Sequence, residues 1–126
     1  MRNIIEPVLD DYSTQPDGKW LTEFDWKKVT FGKLPFIVDG LFVAMYIAPL
    51  NRILLEDPEK TKEAIDVWFS DLIHEMYHAY QRHKKGIIRY FLCKIFLRNA
   101  LESEAVETSL RWLELHGSEI RAAKHQ

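Results

Sequence analysis

The sequence predicts an α+β fold in which a small N-terminal sheet packs on two longer helices. Three observations carry that reading. Residues 1–56 hold four of the five prolines and three of the five glycines, with many β-branched and aromatic residues, whereas residues 59–126 hold no proline and only Gly86 and Gly117. Leu41, Val43, Met45 and Ile47 alternate with Phe42, Ala44 and Tyr46, the pattern of a strand that is apolar on both faces. Beyond residue 57, Ile65, Phe69, Leu72, Met76 and Ala79 recur at three- and four-residue spacing, the core-facing stripe of a helix.

A chain of 126 residues matches the usual size of one domain, so a single domain over 1–126 is expected, strand-rich through 56 and helical from 57. Residues 1–10 can form a short helix, closed by the turn-forming Thr14-Gln15-Pro16-Asp17-Gly18. The stretch from Trp20 to Val29 mixes aromatics and charges and favours no element, and Lys28–Gly32 suits a short strand. Pro49-Leu50-Asn51 supplies a turn after which Arg52–Leu55 can pair back as the second arm of a hairpin. Asp57-Pro58 reads as a helix start, because an aspartate can cap free amides and a proline loses nothing at the first helical position. That helix should run to about Lys85 and stop at Gly86. Ile87–Phe96 is too apolar for a solvated loop and is either extended or an early part of the last helix. The last helix, from about Arg98 to His116, carries Leu97, Leu101, Ala105 and Trp112 on one stripe and should end at Gly117.

Composition excludes several functions. Seventeen Lys and Arg against nineteen Asp and Glu give a formal charge of -2, without the basic excess of a nucleic-acid-binding module. The single cysteine, Cys93, cannot build a disulfide framework or a multi-thiolate zinc site. No apolar run approaches the roughly 18 residues of a membrane span, and the first residues carry acids and Pro7 where a signal peptide needs an apolar core. The expected setting is therefore cytoplasmic, with neither nucleic acid nor membrane as partner.

The residues that carry chemistry are His74-Glu75-Met76-Tyr77-His78, an H-E-x-x-H within the first long helix. Residues four apart on an α-helix lie about 40° apart around its axis, so His74 and His78 project side by side and can share one zinc ion. Glu75 stands beside them, placed to take a proton from an activated water and return it to a leaving amine. Val67, Ser70, Asp71, Tyr77 and Gln81 surround the histidines, a weakly polar front suited to a cleft rather than to open solvent. A third ligand is needed, and the downstream candidates are Glu102, Glu104, Glu107 and His116. Around the last helix Ser103, Glu107, Arg111 and Glu114 form the charged face, and Glu104 lies at its margin. Glu102 points to the opposite, buried side, where a carboxylate needs either a metal or an ion-pair partner such as Arg98. Tyr77, Tyr80 and Arg98 are candidates to stabilise the oxyanion that forms when water adds to a peptide carbonyl.

His74-Glu75-x-x-His78 followed by Glu102-Ser103-Glu104-Ala105 resembles the gluzincin metallopeptidases, in which a second helix supplies a glutamate zinc ligand. The resemblance covers roughly residues 40–113 and implies a zincin-like fold, a zinc cofactor on His74, His78 and Glu102, Glu75 as catalytic base and acid, and a peptide or protein substrate held beside the hairpin. The sequence departs from that pattern at Val106, where relatives carry an aspartate that steadies a ligand histidine; Asp71 is the candidate substitute. Leu72–Tyr80 is also similar to the active helix of SprT-like proteases, whose third ligand is a histidine, a role that His116 would fill here. Two other classes remain open: an inactive zincin-fold interaction module, and a helical interaction protein without metal. Intact Glu75 speaks against the first.

Overall fold

The computed structural model describes residues 1–34, 44–61 and 63–124. Its elements are helix α1 (Arg2–Ser13), two 3-10 turns (Pro16–Glu23 and Trp26–Lys28), strand β1 (Thr30–Lys33), strand β2 (Ala44–Ile47), a 3-10 turn (Ala48–Leu50), strand β3 (Arg52–Leu55), and helices α2 (Ile65–Lys85), α3 (Ile87–Phe96) and α4 (Arg98–Lys124). The architecture is α+β, mostly helical, with one small mixed sheet of order β1-β3-β2. β1 runs parallel to β3, with Thr30 opposite Arg52, and β2 runs antiparallel to β3, with Tyr46 opposite Ile53. The expected hairpin is therefore present from Ala44 onward, while Leu41, Phe42 and Val43 of its first arm lie outside the described residues. Asn51 closes it at φ 49°, a left-handed conformation that asparagine tolerates better than most residues.

The first part is less strand-rich than the composition suggests. α1 extends three residues beyond the expected end at residue 10, and 3-10 turns occupy most of 16–28. Ile5, Leu9 and Tyr12 bury one side of α1 in the common core, and Trp20 and Phe24 lie against Tyr77 and Tyr80 of α2.

α2 begins at Ile65, not at Asp57-Pro58. Asp57 does cap backbone amides, but of a turn: its Oδ1 accepts from Glu59 N–H at 3.0 Å, and its carbonyl accepts from Lys60 and Thr61. Lys33 Nζ lies 3.1 Å from the same carboxylate, which ties this turn to the end of β1. The helix stops where expected, with the Gly86 amide donating to the Arg82 carbonyl at 2.8 Å. Ile87–Phe96 then forms a helix of its own.

α2 is the central element. Trp68, Leu72, Ile73 and Met76 are completely buried, and Trp68 Nε1 donates to the Glu56 carbonyl at the end of β3. Its other side meets α4 in an antiparallel pair: Asp66 opposite Arg121 (3.2 Å), Ser70 donating to the Ser109 carbonyl (3.2 Å), and Gln81 donating to the Leu101 carbonyl (3.0 Å). α4 does not end at Gly117 but continues to Lys124. Gly117 is buried at the contact with α2, where a Cβ would sit 3.0 Å from Leu113 Cδ1 and 3.5 Å from Asp66 Oδ2. An added Cβ would crowd only Leu113 of the same helix and meet Asp66 of α2 at ordinary contact distance, so the glycine does not stop the chain and is not what sets the helix approach. No described helix is long and apolar enough to cross a membrane.

Candidate metal centre

The antiparallel packing of α2 and α4 brings the first turns of α4 across the histidine face of α2. Glu102 reaches both rings: Oε2 lies 3.0 Å from His74 Nε2, and Oε1 lies 3.1 Å from His78 Nε2. The two Nε2 atoms are 3.2 Å apart. Ligands of a tetrahedral zinc at about 2.0–2.1 Å stand about 3.3 Å from one another, so these separations fit one shared ion with little rearrangement. Among the described residues this is the group of three such side chains able to hold a metal, its ligand atoms within 4.8 Å of one another.

The proton on His78 can be placed. Gln81 Nε2 donates to the Leu101 carbonyl and to Glu104 Oε2, both at 3.0 Å, which turns Gln81 Oε1, an acceptor only, toward His78 Nδ1 at 2.8 Å. Nδ1 must then be the N–H, and the Nε2 lone pair faces Glu102 and His74. His78 is 5% exposed, and that burial holds its pKa below the ordinary imidazole range, with the Gln81 hydrogen bond acting in the opposite sense. Burial outweighs that hydrogen bond, and the net lowering favours the neutral ring that a metal requires. Gln81 therefore fills the supporting place for which Asp71 was the candidate. Asp71 lies elsewhere, hydrogen-bonded to Glu63; burial first, and then that neighbouring carboxyl, push it up to about 7. Val106, where relatives carry the aspartate, is 42% exposed on α4.

A cleft of about 470 Å³ opens beside the cluster, walled by β2 and the turn after it, by Glu75, His78 and Glu102, and by Tyr90, Lys94 and Arg98. Glu75 is not in contact distance of the ion-pair network but faces the same space. Burial, and next the charge of Glu102, push its pKa up to about 8, while the Tyr46 backbone amide and Lys94 pull it down. A carboxyl in that range is suited to carrying a proton in both directions near neutral pH.

The remaining candidates separate cleanly. Arg98 lines the cleft and is not ion-paired to Glu102. Tyr77 stands outside the cleft lining, edge-on to Trp20 with centroids 5.0 Å apart and next to Tyr80, whose hydroxyl donates to Glu23. His116 is remote from the cluster: its Nε2 lies 3.2 Å from both Asp17 carboxylate oxygens, and its ring packs on Tyr12. Glu104 serves Gln81 and not the histidines. The roles of two contributors were not assigned from the sequence. Gln81 is signalled by its i+3 spacing from His78 on one helix face, whereas Lys94 carries no local signal and reaches the cleft only through the turn at Gly86. Compared with models of known protein families, with curated proteins and with solved structures, the chain matches none.

Proposed function

We propose that this chain is a zinc-dependent peptidase of zincin-like fold, with a gluzincin-type ligand set of His74, His78 and Glu102, working in the cytoplasm on a peptide or protein substrate. The observation that carries the reading is the convergence of those three side chains on one another, at tetrahedral separations, beside a cleft lined by His78, Glu102 and Glu75. The engagement of His116 with Asp17 supports Glu102 over the SprT-like alternative. Zinc, when bound, supplies a Lewis acid that lowers the pKa of water and polarises a carbonyl.

The chain's own residues do the rest. Glu75 takes the proton of the attacking water and delivers it to the leaving amine, and the Tyr46 amide holds its carboxylate in place. Arg98 and Lys94 put positive charge on the cleft wall, where the oxyanion develops. β2 lies at the edge of the described sheet and its residues line the cleft, so an extended substrate can add to it through backbone hydrogen bonds. Gln81 fixes the His78 tautomer.

Glu75→Gln separates the catalytic proton carrier from the ligands. The variant is expected to retain zinc and to lose hydrolysis of a mixed peptide library by about 10²–10⁴-fold. Loss of zinc in that variant would make Glu75 structural, and a zinc-loaded wild type that cleaves nothing would make the chain an interaction module.

A further inference from the structure

α3 presents its apolar side outward. Ile88 is 76% exposed, Ile95 69% and Phe96 76%, and Leu97 beyond its end is 59% exposed. At 100° per residue, Ile87, Phe91, Ile95, Ile88, Leu92 and Phe96 sweep one continuous half of the helix, while Tyr90, on the other half, is the residue buried in the protein. Arg89 and Lys94 fall at the two margins of the apolar half. A solvated helix would have the reverse arrangement, and a patch of this composition on a small protein marks a surface that something covers.

Charge indicates what covers it. From Met76 to Leu101 the chain holds no acidic residue and six cations: Arg82, Lys84, Lys85, Arg89, Lys94 and Arg98. None of the six pairs with a carboxylate among the described residues. The rest of the chain carries eleven cations and all nineteen acids (17 minus 6, and 19 minus 0), so this segment is the positively charged part of the chain. Lys94 and Arg98 face the cleft and Arg82 Nε is buried, which leaves Arg89 and the Lys84-Lys85 pair for the apolar side. An apolar stripe bordered by cations is the form of a helix that lies in a bilayer interface, with its side chains among the acyl chains and its cations at anionic headgroups. Such a helix needs no membrane-spanning length. The expectation of no membrane partner came from the lack of a spanning run, which does not bear on this mode.

We propose that α3 is an interfacial anchor for anionic lipid surfaces, inserting Ile88, Leu92, Ile95 and Phe96 while Arg89 and the Lys84-Lys85 pair meet lipid phosphates. Tyr90 and Lys94 also line the cleft, so the anchor would set the mouth of the cleft close to the bilayer. The inference concerns a surface and holds whether or not the cleft is catalytic.

Co-sedimentation of the full chain with vesicles tests it, using pure phosphatidylcholine against equal parts phosphatidylcholine and phosphatidylglycerol. Binding is expected to the anionic vesicles, to weaken steeply with added salt, and to be at least tenfold weaker with pure phosphatidylcholine. Arg89→Glu removes one cation and adds an acid, and should weaken binding by about fivefold or more. The pair Ile88→Asp and Ile95→Asp should abolish it; both side chains are exposed, so an unchanged melting temperature will show that the fold is kept. The proposal is overturned if the wild type ignores anionic vesicles, if the double aspartate variant binds them as well as the wild type, or if the chain sediments as a dimer that the double variant dissociates, which would make a second copy the cover.

Discussion

At the scale of single residues, Gln81 shows how much of the centre depends on a side chain with no ligand or acid–base role. It is 2% exposed, and all of its polar atoms are used: Oε1 on His78, Nε2 on Leu101 and Glu104. Removing it frees His78 to rotate and to place its proton on Nε2, where it would oppose a metal. Gln81→Leu, close in volume, is therefore expected to weaken zinc affinity by about 10–100-fold, read by competition with a chromophoric chelator, and an unchanged affinity would dismiss the positioning role. His74, Glu75 and His78 were legible in the sequence because i,i+4 spacing fixes their relation on any helix. Glu102 was legible because it stands off the charged face of an amphipathic helix, although its side chain keeps 44% exposure where the cleft opens. The place of Gln81 beside the histidines was legible from its spacing, but its task was not, since that depends on a carbonyl twenty residues away in α4.

At the scale of elements, the turn between α2 and α3 directs the approach to the site. Gly86 adopts φ 83° and ψ 158°, a region almost closed to residues with a Cβ, and that conformation breaks one helix into two and swings α3 past the cleft. Space is not the constraint there, because an added Cβ would meet nothing within 4 Å. Gly86→Ala should therefore destabilise the protein by about 1–3 kcal/mol through backbone strain alone, measured by denaturant unfolding. A neutral effect would show that the turn relaxes freely. The stop at Gly86 was readable from sequence and the start of α2 was not: Asp57-Pro58 has the chemistry of a cap, but the Asp57 carboxylate is also held by Lys33, a contact set by the sheet. Gly117 misled in the opposite sense, since α4 runs through it to Lys124. The periodicity of Ile87–Phe96 could not separate strand from helix, because nearly every residue in it is apolar.

At the scale of the whole molecule, the α2–α4 pair organises everything else. The sheet and the 3-10 turns lie against α2 on one side, α4 covers the other, and α1 packs on the first 3-10 turn and, through Tyr12, on His116 of α4, so the ligand cluster lies at a seam between two helices that are already packed together. A metal there joins residues 28 positions apart in sequence, His74 and Glu102, and stabilises the folded chain by mass action in proportion to its affinity. The α+β class and the order of the long helices followed from hydrophobic periodicity. The parallel partner of β3 and the antiparallel register of α2 on α4 are long-range pairings that no local pattern encodes.

The measurement closest to the central claim is a calorimetric zinc titration of chelator-treated protein, run on the wild type and on Glu102→Ala, Glu104→Ala and His116→Ala. The arrangement of His74, His78 and Glu102 predicts one zinc per chain in the wild type, a loss of affinity of about 100-fold or more in Glu102→Ala, and unchanged stoichiometry in the other two. A wild type that takes up no zinc, or a Glu102→Ala chain that binds it as tightly as the wild type, would contradict the account.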